Sequence, residues 1–212
     1  VLIRADSVQY TDGSQTRFLN NSGDLMSKKI VFLDRDGVIN EFPGHGNYVT
    51  KVKEFHFIPG ALDALRRLKE NGYTVFVVSN QAGVGKKIYS QNKLDRITRL
   101  MNQEVKRNGG SIKKVYYCTH TTQHGCDCRK PGIGSIRAAL TLIKKPISHA
   151  VHAYFVGDTE VDVTAGKTAG CQTIFVLSGM SDRNMVRTWK VRPDYTVEDL
   201  AAATDIILGN SA

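Results

Sequence analysis

The chain has 212 residues, is 41% hydrophobic and carries 29 Lys and Arg against 20 Asp and Glu, a formal net charge of +9. That size supports one substantial core, or a core with a small appendage. No apolar run nears the roughly eighteen residues of a membrane helix and no export signal opens the chain, so the reading is a soluble cytoplasmic protein with no membrane partner. The positive excess predicts attraction to polyanions or small anionic substrates without choosing between them, and many of the cations simply solvate helix faces, as in "RRLKENG".

Residues 1–25 are polar, with little periodicity, and are read as an extension of unknown role; their Asn20-Asn21-Ser22 triplet is a chance-level match to a glycosylation acceptor. The folded domain is expected over 26–212, beginning at Met26 in "MSKKIVFLDRDG". From Lys28 onward, apolar runs ended by polar clusters alternate with helical periods. "KIVFLD", "TVFVVSN", "KVYYC", "AYFVGD" and "QTIFVLSG" predict buried strands. "PGALDALRRLKENG" predicts a helix with Leu62, Leu65 and Leu68 on one face, Pro59 near its start and Gly72 past its end. A second helix follows in "SQNKLDRITRLMNQEVKRNGG", with Ser90 as N-cap and Leu94, Ile97, Met101 and Val105 turned inward. "GSIRAALTLIKK", "VDVTAGKTAG" and "VEDLAAATDIIL" complete the set. Such alternation predicts an α/β fold with a doubly wound parallel sheet, whose ligands sit at the carboxyl ends of the strands.

Chemistry-bearing residues stand where the predicted strands end. Asp34 and Asp36, followed by Gly37, can divide labour: one carboxylate attacks and binds metal, while the other, near a like charge, carries a proton. Ser79 and Asn80 suit phosphoryl oxygens, and Lys130 can neutralise both a phosphoryl group and a nucleophile. Asp158 ends another strand, with Asp162 one helical turn later. Singly, each has an ordinary alternative: Asp and Gly make turns, Ser79 caps the next turn, and Thr159 with Asp162 forms a capping box.

The stretch "YYCTHTTQHGCDCRKPG" holds Cys118, His120, Cys126 and Cys128, three thiols and an imidazole within eleven positions. They make a full ligand set for structural Zn²⁺, with His124 as spare ligand and a reduced, metal-free cluster as the other reading. Only five residues separate His120 from Cys126, too few for the helix of a nucleic-acid finger, so the loop reads as a brace for Arg129 and Lys130 just beyond it. Cys171, in "AGCQTIFV", reads as a buried free thiol, and the whole cysteine pattern fits a reducing compartment. "GVGKK" is not a nucleotide P-loop, because Asn80 and Lys87 occupy positions that need Gly and a hydroxyl.

Taken in order, D-x-D-G, Ser, Lys and G-D-x-x-x-D resemble the haloacid dehalogenase (HAD) superfamily of phosphotransferases over residues 28–208. The resemblance implies an aspartyl-phosphate on Asp34, with Asp36 protonating the departing alcohol and later activating water, and Ser79 and Lys130 holding the phosphoryl group. It implies Mg²⁺ on Asp34, the Asp36 carbonyl and Asp158, with Asp162 supporting these ligands from behind without touching the metal. The "C-x-H…C-x-C-R-K-P" loop is similar to those of two neighbouring families, the heptose 1,7-bisphosphate 7-phosphatases and the histidinol-phosphate phosphatases. "FLDRDGVIN" and "PDYTVEDLAA" look more like the former. The expected substrate is therefore a small phosphorylated sugar, with Asn80 and Arg129 as contacts and Arg129 placed to grip a second phosphate. "EFPGHGNYVTK" is expected to line the mouth of a site without a large cap domain, in a monomer. A polynucleotide end phosphatase and a zinc-containing nucleic-acid-binding module remain as alternatives.

Overall fold

The computed structural model describes residues 29–209, together with the backbone of residues 7–12 and 15–20. Within the N-terminal stretch, where the sequence predicts no element, β1 (Ser7–Asp12) and β2 (Gln15–Asn20) pair antiparallel. Met26 and most of the Asn20-Asn21-Ser22 triplet lie outside the described residues.

The four apolar residues of β3 (Ile30–Leu33) are all fully buried, which requires cover on both faces of the strand. The strand lies inside a six-stranded sheet with β4 (Thr74–Asn80), β5 (Lys114–Cys118), β6 (Ala153–Gly157), β7 (Gln172–Val176) and β8 (Tyr195–Val197). Every pairing is parallel and the order is β5-β4-β3-β6-β7-β8. The chain winds outward from β3 to β5, then crosses back to β6, so the order reverses between β3 and β6. A crevice opens at such a reversal, at the carboxyl ends of the strands. All five predicted strands form. The sixth, β8, has only three residues in a polar context, too short to leave an apolar run.

The helices are α1 (Ala61–Glu70), the single turn α2 (Ala82–Gly85), α3 (Gln91–Arg107), α4 (Gly134–Leu142), α5 (Glu160–Ala169), the single turn α6 (Arg183–Val186) and α7 (Leu200–Leu208). Side chains alternate across the strands and feed two cores. Val31 and Leu33 pack with Leu65 and Leu68 of α1, Ile97 and Met101 of α3 and Ile207 of α7. Ile30 and Phe32 face the other way, with Ile136 of α4 and Ala165 of α5, and Phe32 stacks between Phe76 and Phe155 at 5.7 and 6.2 Å. Ser90 caps α3 by accepting from the Lys93 N–H, and Leu94, Ile97, Met101 and Val105 are all buried, as expected. The inward face of α1 is rotated from the predicted one: Ala61 and Ala64 join Leu65 and Leu68, and Leu62 is only partly buried. Among the described residues no helix is long and apolar enough to cross a membrane, and no additional domain covers the strand ends.

This rotation is measurable. Leu65→Ala should cost about 2–5 kcal/mol and lower the urea midpoint at unchanged slope, with a clearly smaller loss for Leu62→Ala.

Candidate active site

The crevice at the β3/β6 reversal holds Asp34 and Asp158, each one residue beyond its strand. The Asp34 N–H still donates to the Val156 carbonyl of β6 at 2.9 Å, so its position is fixed by the sheet. The chain then turns on itself, with the N–H groups of Val38, Ile39 and Asn40 converging on the Arg35 carbonyl. Gly37 sits in this turn at φ +82°, and a Cβ there would lie 2.4 Å from Asp158 Oδ2. A Cβ on Gly179 would lie 2.1 Å from the same oxygen. Both loops therefore close on Asp158 only because they carry glycine. The Met180 N–H completes the cradle, donating to Asp158 Oδ2 at 2.7 Å.

Lys130 reaches this cluster from the loop after β5. Its ammonium donates to the Val78 carbonyl at 2.8 Å and meets Asp34 Oδ1 at 2.9 Å and Asp162 Oδ1 at 2.6 Å. Asp162 is divided: its Oδ2 accepts from the Thr159 N–H and hydroxyl as the expected capping box of α5, while Oδ1 faces the lysine. Burial opposes the charge on Lys130, but Asp162 and Asp34 outweigh it and raise its affinity for the proton. Asp34 is pushed up from 3.8 to about 6, by burial first, against the pull of Lys130. Burial, then Asp162 and Asp34, push Asp158 well above the usual carboxylate range.

Oxygens of Asp34, Asp158 and Asp162 lie within 4.8 Å of one another. Three carboxylates against one ammonium leave two negative charges, which is the charge of one divalent cation, and a hard oxygen set of this kind fits Mg²⁺. Ser79, buried near the end of β4, lines a cavity of about 250 Å³ with Asp34, Asp36, Asn80, Lys130, Asp158 and Asp162. Phe42, Pro43, His45, Asn47 and Tyr48 form its mouth, where the sequence placed them.

Three expectations are modified. Asp36 was expected to be governed by its carboxylate neighbour, yet donors surround it: Arg35 Nε and Nη2, Asn40 Nδ2 and Gln81 Nε2 all point at its oxygens, at 2.8–3.1 Å. Asn80 lines the cavity, but its amide engages main chain first, accepting from the Lys130 N–H at 3.0 Å and donating to the Lys130 carbonyl at 3.1 Å. Arg129 is not among the residues lining the cavity; its guanidinium donates to the His120 carbonyl, so the peptide on the cysteine loop holds it aside. Arg35 and Gln81, both buried polar residues, were missed, although each stands just beyond a strand, two residues after β3 and one after β4.

The cysteine loop is assembled as expected. Sγ of Cys118 lies 3.2 Å from that of Cys128 and 3.6 Å from that of Cys126, and Cys126 and Cys128 are 3.4 Å apart. His120 turns Nδ1 to Cys128 at 3.4 Å and to Cys118 at 3.8 Å. Tetrahedral zinc with metal–sulfur bonds of about 2.3 Å needs edges of about 3.8 Å, so the four ligand atoms fit it with a slight expansion. His124 instead shares a hydrogen bond with the Thr121 hydroxyl. All four cysteines are free thiols, and burial pushes Cys171 up to about 12.

A family profile described as HAD-hydrolase-like matches residues 127–203. The D-glycero-beta-D-manno-heptose-1,7-bisphosphate 7-phosphatase of Pasteurella multocida is 33% identical over 86% of this chain and 98% of its own length. The chain belongs to the heptose bisphosphate phosphatase family of HAD-like hydrolases. Another member of this family of phosphatases, from Pseudomonas putida, is 34% identical over 82% of this chain and 96% of its own. In structure, the chain resembles the D,D-heptose 1,7-bisphosphate phosphatase of B. bronchiseptica, which was crystallised with magnesium and phosphate. The TM-score is 0.78 at 29% identity, covering 86% of this chain and 99% of that one.

For a heptose bisphosphate phosphatase with this cluster, the stability profile is testable. Asp34 and Asp158 bind protons more tightly folded than unfolded, so the metal-free chain loses stability as pH rises from about 4 through about 6 and beyond. Saturating Mg²⁺, replacing those protons, should raise the melting temperature little at pH 4 and by about 5 °C or more at pH 7. Gly179→Ala, which displaces Asp158, should abolish that gain; a gain independent of pH and retained in Gly179→Ala would contradict the assignment.

Proposed function

We propose that this phosphatase removes the 7-phosphate of D-glycero-D-manno-heptose 1,7-bisphosphate through a covalent phosphate on Asp34. The observation that carries the reading is Lys130, buried and held between Asp34 and Asp162 beside Asp158 on the floor of an open cavity. Phosphoryl transfer demands little beyond positioning and charge neutralisation, and this arrangement supplies both.

An Asp34 oxygen attacks phosphorus as the bond to the sugar oxygen breaks. Asp36 gives its proton to the departing alkoxide. Water then attacks the phosphorus of the aspartyl-phosphate, passes a proton to Asp36 and frees phosphate, restoring Asp34. Lys130 and the Ser79 hydroxyl hold phosphoryl oxygens throughout, and Asp162 keeps the lysine charged and oriented. Asp34, Asp158 and the Asp36 main-chain carbonyl would hold Mg²⁺, which when bound neutralises phosphoryl oxygens and displaces the protons that the buried carboxylates otherwise keep. Four protein ligands on the cysteine loop leave no open position, so the zinc proposed there is structural.

The sugar assignment is supported by the relatives and by the mouth of the cavity, where His45, Asn47 and Thr159 offer polar groups and Phe42 and Tyr48 offer ring faces to a polyhydroxylated chain. The enzyme is proposed to work as a cytoplasmic monomer.

Phosphate release should be measured on both anomers of the heptose bisphosphate, on histidinol phosphate and on a 3′-phosphorylated oligonucleotide. The β anomer should be hydrolysed fastest, with strict dependence on Mg²⁺ and a loss on the order of 10³-fold or more in Asp34→Asn. Equal, poor turnover of all four would sink the substrate assignment and leave the chemistry intact. Elemental analysis of the purified protein should find about one zinc per chain, and Cys126→Ser should lose both the metal and part of the turnover, because Lys130 follows the loop directly.

A further inference from the structure

Asp36 stands two residues from Asp34, yet only Asp34, Asp158 and Asp162 converge into the metal-sized cluster. What diverts the fourth carboxylate is a buried set of donors. Arg35, fully buried, grips Asp36 from one side through Nε and Nη2. Its guanidinium carbon also lies over the Tyr117 ring, 5.6 Å from the centroid, so the ring face also holds the group. Gln81 closes from the other side: its Nε2 donates to Asp36 Oδ2 at 2.8 Å and lies 3.2 Å from Ser79 Oγ.

The amide of Gln81 works in one orientation only, since a flip would turn its oxygen toward the carboxylate. Tyr89 fixes that orientation, with its hydroxyl 2.6 Å from Gln81 Oε1. Burial pushes the Tyr89 phenol well above its ordinary value, so it keeps its proton and donates. Space for the ring comes from α2, where a Cβ on Gly83 would lie 2.3 Å from Tyr89 Cε1. Gln81 and Tyr89 are both buried, at 1% and 3% exposure, and neither belongs to the metal cluster.

We propose that Gln81, with its amide oriented by Tyr89, is a positioning residue that keeps the Asp36 carboxyl out of the metal cluster and aimed at the leaving oxygen. The inference rests on the phosphatase chemistry proposed above. In the first half-reaction the sugar–phosphorus bond breaks and the proton of Asp36 goes to the alkoxide. An alkoxide needs that proton, whereas 4-nitrophenolate leaves without it. In the second half-reaction Asp36 takes a proton from water, whichever ester was cleaved.

The test is rapid-quench release of the leaving group from Gln81→Met and Tyr89→Phe, with Mg²⁺, comparing 4-nitrophenyl phosphate with the primary-alkyl phosphate that the wild type turns over fastest. Tyr89→Phe is near-isosteric and serves if Gln81→Met does not fold. First-turnover release of the alkyl alcohol should fall about 10²-fold in Gln81→Met and about 10-fold in Tyr89→Phe, while that of nitrophenol stays within about threefold. Slow dephosphorylation should then appear as a nitrophenol burst stoichiometric with enzyme. Equal slowing of both esters would mean that Gln81 acts through Ser79 or through the fold, and it overturns the proposal, as does no slowing of either. Failure of the wild type to release phosphate from any ester is a different result, and it defeats the underlying phosphatase reading.

Discussion

One buried ammonium constrains the whole site. Three carboxylates within a few ångströms, two of them almost wholly buried, repel one another in a medium that screens poorly, and Lys130 is the one cation reaching them among the described residues. The ordered set is also distributed over the sheet: β3 leads into Asp34, β6 into Asp158, the Val78 carbonyl of β4 fixes the lysine, and the loop after β5 delivers it. Parallel strands with a reversal between β3 and β6 bring these four ends to one edge, so the function depends on topology before it depends on any loop.

The same electrostatics separates the two neighbouring aspartates for which different tasks are proposed. Asp34 is held near Lys130 and the other cluster carboxylates, in surroundings that suit a metal-bound nucleophile. Asp36 is enclosed by N–H donors from Arg35, Asn40 and Gln81. A single intervening residue sends the two side chains to different partners because the backbone turns so tightly after Asp34, with Gly37 at a φ only glycine adopts freely.

How much of this was legible follows from what each feature leaves in a linear sequence. Buried parallel strands leave apolar runs, so β3 to β7 could be read directly, and with them Asp34, Ser79 and Asp158 at or beside their ends, whereas Lys130, twelve residues past β5, and Asp162, within α5, were legible only from the order of the motifs. The three-residue β8 leaves no such run. On α1 the prediction weighed Leu62 for its size, but small Ala61 and Ala64 are buried beside Leu65 and Leu68, because a helix packs close where its side chains are short. Pairings across distant segments leave no local trace: nothing in "SNQAG" says that the Asn80 amide closes on the Lys130 peptide, or that Gln81 reaches back to Asp36 and forward to Tyr89. The direction of Arg129 was not legible either, because sequence adjacency to Lys130 says nothing about direction, and the two side chains leave the backbone toward different neighbours.

The cysteine loop follows from the same constraint. Between Cys118 and Gly134 the chain has almost no apolar residues, so it cannot build a core of its own, and backbone hydrogen bonds such as Gly134 N–H to the Asp127 carbonyl fix it only in part. Ordering such a segment costs about 1–2 kcal/mol per residue in backbone entropy, far more than a few surface contacts return. A tetrahedral metal is the compact alternative to a hydrophobic core, since the free energy of binding Zn²⁺ becomes folding free energy. Its placement is informative. The last cysteine of the loop, Cys128, is two residues from Lys130, and the Asn80 amide grips the Lys130 peptide from the sheet side. The cysteine loop on one side and the strand on the other leave the lysine little freedom, which suits a lone cation that must stay in contact with Asp34 and Asp162 at once.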